Sequence, residues 1–369
     1  MKKIKVLMIV PNLFVANGVA SFVMNYLRNV DSKKLHIDFV SYASGESPYY
    51  EEIEKAGGKI FYLDNISNMF KHLKRCMQIL EEGDYDIIHD NTLHISMPLM
   101  WCAERYGVPV RILHSHNSKM GETKIKELRN TIFLPLLRSF SNVYVACSET
   151  AGKAMFNKYN YYFLPNVINS KRYKVCKEVR EKIRKEFFAD SKIIVGTVGR
   201  LAEQKNPIFA IDVFKEFLKI CPNSEYWWIG NGYMESVVSA HIKKNNLTNN
   251  IKLLGSRTDV VDLYQAMDCF FLPSKFEGLP VTGIEAQAMG LPVVASSTIT
   301  EEMVFTDLVD FVDLNHSSCT WASHLMAAVN TSVKRERYSN CLKQSIFYDI
   351  DCGQKLLSLY NEILFNKGN

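Results

Sequence analysis

Apolar and polar positions alternate along this chain on two length scales. Short continuous apolar runs read as strands buried on both faces. The stretches between them place apolar residues every third or fourth position and read as helices with one buried side. In the first half the predicted strands are Ile4–Val10, His36–Tyr42, Lys59–Leu63, Tyr85–His89, Val110–His114 and Asn142–Ala146, with helices at Ala20–Asn29, Ser67–Glu82, His94–Tyr106 and Lys124–Phe140. Residues 166–191 turn polar and basic and read as a linker with a short helix. Alternation then resumes: strands at Ile193–Val198, Glu225–Ile229, Ile251–Leu254 and Cys269–Leu272, helices at Pro207–Ile220, Tyr233–Asn245 and Val260–Met267. Two more helices are expected at Ser332–Phe347 and Gly353–Phe365. Strands alternating with helices specify a parallel, doubly wound sheet. Two such halves in succession predict an α/β protein of two Rossmann-like domains facing a cleft, a common place for a small-molecule site.

The most informative stretch is 272–296, LPSKFEGLPVTGIEAQAMGLPVVAS. A strand ends at Leu272, a turn runs through Phe276–Pro280, a helix spans roughly Thr282–Met289, Gly290 stops it, and Pro292–Ala295 is the next strand. Ligands of parallel α/β sheets sit outside the carboxyl ends of the strands, and a helix N-terminus there favours a phosphate. Glu277 in the loop and Glu285 in the expected first turn of the helix would repel that anion unless they face its neutral parts. Sugar hydroxyls and a ribose diol are such parts, because carboxylates accept hydrogen bonds from them. A nucleotide-sugar satisfies the whole arrangement. On residue types alone a second reading stays open, in which Glu277 is a solvated loop residue and Glu285 merely complements the helix dipole.

Composition changes this picture little. A chain of 369 residues accommodates one or two domains, and 47% hydrophobic with 22% charged residues is ordinary for a globular protein. The net charge of +5, without a basic block or aromatic–basic ladder, does not point to nucleic acid. Nine cysteines without a C-x-x-C pair fit a reduced, cytoplasmic protein without structural zinc. The apolar part of the N-terminus, Val6–Val10, reads as a first strand rather than a signal peptide, and no run reaches the ~18 apolar residues of a membrane helix.

Glu277 and Glu285, seven residues between them, resemble the E-x7-E motif of retaining glycosyltransferases with the GT-B fold, most closely the family-4 group. EGLPVTGIEAQAMGLPVVAS is similar to that group's signature throughout, and GRLAEQKNP at 199–207 is similar to its GRL-x-x-QKN segment. The resemblance covers nearly the whole chain. It implies transfer from a nucleotide diphosphate sugar, a UDP-sugar favoured, with retention of configuration and with no cofactor or metal. Arg200 and Lys205 would bind the donor diphosphate together with the helix start at Val281 and Thr282, preceded by Gly278 and Leu279. Glu277 would hold the sugar and Glu285 the ribose. His116, with His114 as the neighbouring alternative, would contact the donor sugar; Arg257 would lie near base and ribose. Gly18 would let backbone approach a phosphate or acceptor, although Asn17 replaces the first of the family's two adjacent glycines. The implied domains are 1–168 on the acceptor side, 169–352 on the donor side, and a final helix, 353–369, crossing back to the first. FEGLPVTGIEAQAMGLPVVAS, HSHN and CSETAGKAMF look most like bacterial exopolysaccharide and capsule enzymes, which implies a glycan or polyprenyl-diphosphate-linked acceptor.

The segment 119–140 mixes Lys119, Lys124, Lys126, Arg129 and Arg138 with apolar residues. It reads either as a packed helix with a solvated basic side or as a surface that meets the inner face of a membrane. Asp84-Tyr85-Asp86 and Asp349-Ile350-Asp351 match a D-x-D metal pattern but stand at the wrong places for ligand binding, and Trp227-Trp228 reads as core. Gly230-Asn231-Gly232 lacks the rest of a dinucleotide fingerprint, which argues against a nicotinamide dehydrogenase. Two rivals remain, a 2-epimerase-like GT-B enzyme and a non-catalytic nucleotide-sugar binding subunit.

Overall fold

A computed structural model describes residues 3–15, 17–63, 68–121 and 124–368; Ser67, where one helix was expected to start, lies outside them. The chain forms two compact units, Met1–Val167 with Asp349–Asn369, and Ile168–Tyr348. Each is built on one wholly parallel sheet.

In the first unit the strands are β1 (Ile4–Val10), β2 (Leu35–Ser41), β3 (Ile60–Tyr62), β4 (Ile87–Asp90), β5 (Val110–Ser115), β6 (Val143–Ala146) and β7 (Tyr162–Phe163). Their order is β3-β2-β1-β4-β5-β6-β7, so the direction of winding reverses between β1 and β4. Strand periodicity divides β1 between two cores: Val6, Met8 and Val10 join one cluster, Leu7 and Ile9 the other. Both sides being covered, the strand must be apolar throughout, and that is why it was legible as a continuous run. The last helix, Cys352–Gly368, belongs to the first of these cores through Leu356, Tyr360 and Ile363.

The second unit contains β8 (Ile193–Val198), β9 (Ser224–Ile229), β10 (Ile251–Gly255), β11 (Cys269–Leu272), β12 (Val293–Ser296) and β13 (Val309–Val312), ordered β10-β9-β8-β11-β12-β13. Its winding reverses between β8 and β11. Trp227 and Trp228 are wholly buried, as core residues should be.

Two expectations fail here. Ser332–Phe347 is not one helix: it holds a 3-10 turn, Arg335–Arg337, and a single helical turn, Tyr338–Leu342. The long helix lies earlier, at Ser318–Asn330, where Ser317 caps the Thr320 N–H and Trp321, Ala322 and Leu325 are buried. Its buried side is only Trp321, Ala322 and Leu325, and further apolar residues at Met326–Val329 blur the period, whereas the charged segment after it looked helical by residue type alone. Secondly, the helix after β11 starts at Val281, so Glu285 sits in its second turn and not its first.

Candidate functional site

The loops that follow β8 and β11 flank the reversal point of the second sheet, where open α/β sheets bind ligands. They are tied together. Lys275 N–H donates to Gln204 O at 2.8 Å, and Gln204 Nε2 donates to Phe276 O at 3.1 Å and to Glu277 Oε2 at 3.3 Å. Lys205 Nζ lies 2.6 Å from Glu277 Oε1, with side chains only 13% and 9% exposed. An ammonium has three N–H donors, so a lysine that holds one carboxylate keeps two for an anion. Arg200, at the rim, donates to Gln204 Oε1 at 3.4 Å. A Cβ at Gly199 would sit 3.0 Å from Lys205 Cε and push that side chain aside, whereas one at Gly230, at φ +132°, would be driven to 2.3 Å from the backbone oxygen of Gly199. At Gly230 the two strand ends thus converge too tightly for a side chain.

The helix Val281–Ala288 follows Pro280, and no side chain caps it. The N–H groups of Gly283 and Ile284 return to Pro280 O. Thr282 Oγ1 and, in the preceding turn, Ser274 Oγ are buried without a hydrogen-bond partner among the described residues. Buried hydroxyls are normally satisfied, so two orphans beside an uncapped helix start mark a place for a ligand oxygen. Gly278 and Leu279 are buried in the same turn.

Glu285 is held by two phenols. Tyr173 Oη donates to Oε1, and Tyr264 Oη donates to Oε2 at 3.0 Å. Burial raises its pKa, and the two tyrosine hydrogen bonds and Arg172 oppose that rise. The dipole-complementing reading of Glu285 does not survive its place in the second turn. Arg257 is committed to Asp259 through a fork of 2.8 and 2.6 Å.

In the first unit, Gly18 opens the helix Gly18–Leu27 and a Cβ there would meet nothing within 4 Å. Asn17 takes an extended conformation, φ −100°, and its side chain accepts from the Val19 and Ala20 N–H groups. It serves as the helix N-cap.

The carboxyl ends of β4 and β5 gather three imidazoles. His89 Nδ1 lies 2.8 Å from Tyr360 Oη of the last helix, and His89 Nε2 lies 2.9 Å from His114 Nδ1. His114 is 1% exposed and its Nε2 has no partner among the described residues. His116 is half-buried, its ring 4.0 Å from that of His114, and its Nε2 lies 2.9 Å from Asn91 Oδ1. Burial lowers the pKa of all three, to about 3 for His89 and His116. Burial also pushes the neighbouring Asp90 up to about 6, against hydrogen bonds from Ser96 and Thr92. Of the two candidate histidines, only His116 is partly exposed.

The structure therefore brings Lys205, Glu277, Gly278, Leu279, Val281 and Thr282 into one neighbourhood and adds Gln204, Tyr173 and Tyr264, which the sequence did not single out. Gln204 lay inside a quoted motif; Tyr173 carried no local signal. Of the two D-x-D segments, Asp86 accepts the Lys5 N–H.

A family model described as "Glycosyltransferase Family 4" matches residues 16–172, and one described as "Glycosyl transferases group 1" matches residues 178–342. A Bacillus subtilis protein named as the glycosyltransferase EpsF is 30% identical over 359 residues, 93% of each chain. The UDP-Gal:alpha-D-GlcNAc-diphosphoundecaprenol alpha-1,3-galactosyltransferase of Escherichia coli is 24% identical over 314 residues, 80% of each chain. Among solved structures, Anabaena HepE in complex with UDP-glucose superposes with a TM-score of 0.80 at 17% identity, over 97% of this chain and 99% of that one.

Proposed function

Because the chain belongs to the GT-B glycosyltransferases of the family-4 type, we propose that it moves a glycosyl unit from a UDP-sugar to a glycan or lipid-linked hydroxyl, with retention and without a metal, in bacterial surface polysaccharide synthesis. The observation that carries this reading is the buried Lys205–Glu277 pair just ahead of an uncapped helix start with an orphaned Thr282 hydroxyl. The diphosphate takes the free N–H groups of that helix start, with Arg200 and Lys205 as counter-charges. Glu277 accepts from the sugar hydroxyls. Glu285, already a double acceptor, exchanges a tyrosine hydroxyl for the ribose diol. His116 is assigned to the donor sugar. In the reaction the bond from the anomeric carbon to the diphosphate oxygen breaks. The acceptor oxygen bonds to that carbon, and the acceptor proton passes to the departing phosphate. Cations fixed where charge develops stabilise that step. The UDP preference and the lipid-linked acceptor are supported by the relatives' printed ligands and substrates.

The test is the melting temperature with UDP, GDP, ADP and their common sugars, with and without EDTA, since a ligand of the native state raises the midpoint. A shift with UDP that EDTA leaves unchanged, followed by transfer to an acceptor with the anomeric configuration preserved, is expected. No shift with any nucleotide, or full transfer by Lys205→Ala, would refute the reading.

The membrane contact is part of the proposal. On the helix Lys124–Phe140, Ile125, Leu128, Ile132 and Leu136 are 82, 64, 63 and 44% exposed and share one stripe, with Lys126 and Arg129 on the same helix. Glu122 and Thr123 just before it lie outside the described residues. No described helix is long and apolar enough to cross a membrane. The protein is expected to sediment with anionic vesicles and not with neutral ones, and Ile132→Glu is expected to abolish sedimentation while leaving the melting temperature in place.

A further inference from the structure

The three imidazoles of the first unit are wired by residues outside the glycosyltransferase motifs, and the wiring dictates where each proton sits. Asn91 is the first fixed point. Its Nδ2 faces Ile9 O at 3.1 Å, His89 O at 3.3 Å and Met8 Sδ at 3.0 Å, all acceptors. The amide oxygen must therefore be the atom turned to His116. A carboxamide oxygen only accepts, so His116 Nε2 carries the proton and Nδ1 carries the lone pair. Nδ1 takes no hydrogen bond among the described residues, and the ring is gripped between His114 and the edge of Phe22, at centroid distances of 4.0 and 4.9 Å.

Tyr360 is the second fixed point. Its hydroxyl is buried, and its only partner among the described residues is His89 Nδ1. If Tyr360 accepted there, its own proton would be stranded in the core. Donation is the arrangement that leaves fewer groups unsatisfied. His89 then carries its proton on Nε2 and donates it to His114 Nδ1. His114 is left with Nε2–H, a buried donor without a partner among the described residues.

We propose that Tyr360 and Asn91 are positioning residues that give two adjacent imidazoles opposite hydrogen-bonding senses, His114 donating through Nε2–H and His116 accepting through Nδ1, a pair matched to a hydroxyl of a bound glycosyl unit. A hydroxyl donates and accepts at once, so a neutral donor beside a neutral acceptor suits it where a charged histidine would not. The terminal helix thereby enters the function of the site without touching the ligand. The ligand's identity rests on the glycosyltransferase reading; the tautomers do not.

The experiment is long-range nitrogen–proton NMR of the imidazoles in the full chain, assigned by His114→Gln and His116→Gln. Both histidines are expected to be neutral, single Nε2–H tautomers at neutral pH. Tyr360→Phe should leave His114 a mixture of tautomers and His116 unaltered. Asn91→Leu should do the reverse, and Asn91→Asp, which keeps the acceptor, should preserve Nε2–H at His116. A wild-type Nδ1–H tautomer or an imidazolium at either position would overturn the proposal, as would variants that leave both tautomers unchanged. Kinetically, Tyr360→Phe is expected to raise KM for the sugar nucleotide about tenfold, the order of one lost hydrogen bond, with the Kd of the bare nucleoside diphosphate unchanged. An unchanged KM would remove the hydroxyl from the proposal. If no sugar nucleotide binds at all, the functional reading falls while the tautomer pattern still decides the positioning.

Discussion

Lys205 and Glu277 form an ion pair in a nearly dry setting, where each group depends on the other. Removing one charge strands the other, which costs far more than the pair contributes. Glu277→Gln is therefore expected to lower both transfer, by about 100-fold or more on the scale of lost transition-state contacts, and the melting temperature. Lys205→Ala combined with Glu277→Ala should recover part of the stability and none of the transfer. A double-mutant cycle on melting and on kcat/KM checks both. The buried imidazoles add a pH dependence whose sign is fixed. Their folded pKa values lie below the unfolded value near 6.5, so the unfolded chain binds the extra protons and stability falls as pH drops below about 6.5. Asp90 acts in the opposite sense. Its folded pKa of about 6 exceeds the ordinary 3.8, so it contributes stability at low pH that is lost as pH rises from about 4 to 6. Asp90→Asn should make the acid loss steeper between pH 4 and 6, as read from urea unfolding at a series of pH values.

At the scale of elements, the helix Val281–Ala288 is closed by Gly290 at φ +63°. A Cβ there would lie 2.6 Å from Arg335 Cα and 2.7 Å from Arg335 O, both backbone atoms that cannot swing aside. Arg335 is itself a staple, donating to the carbonyl oxygens of Tyr264, Gln265, Met267 and Met289. Gly290→Ala is expected to cost about 3 kcal/mol, from left-handed strain plus overlap, measured by denaturant unfolding. What could be read beforehand follows from the same physics. Cys269–Leu272, Ile193–Val198, Pro207–Ile220 and Lys124–Phe140 stand where the apolar pattern put them, because each is either buried on both faces or long and periodic. Gly290 declared its own stop. The short helices Tyr49–Lys55 and Glu149–Phe156 and the edge strands Tyr162–Phe163 and Val309–Val312 were not singled out, since a few residues carry too little period. In the site, Lys205 and Glu277 were legible because each lies in a contiguous motif. Their junction through Gln204, the grip of Tyr173 and Tyr264 on Glu285, and the Tyr360–His89–His114 line were not. Those partners stand 21 to 271 residues apart in sequence, on different elements, and no local pattern joins them.

For the whole molecule, connectivity makes the second unit an insertion. The chain leaves the first unit after Val167 and re-enters at Asp349. The two ends of the inserted unit meet, Ile168 pairing with Tyr348 and its N–H donating to Phe347 O at 3.0 Å. A fragment of residues 168–348 is therefore expected to fold alone, with a cooperative thermal transition that UDP raises; a non-cooperative melt would refute this. A fragment of residues 1–167 lacks Leu356, Tyr360 and Ile363 from its core. At ~1.5–3 kcal/mol for each large apolar side chain, it should be molten, with strong dye binding and weak near-ultraviolet dichroism. The return of the last helix also sets an order in time. Chains are made from the amino terminus, and the inserted unit has emerged whole before the final helix exists. The part of the protein begun first is thus completed last, and on the proposed wiring His89 and His114 settle their protons only once Tyr360 is in place. Until then the newborn chain presents an open apolar face to the cell, which is where a chaperone would be expected to hold it.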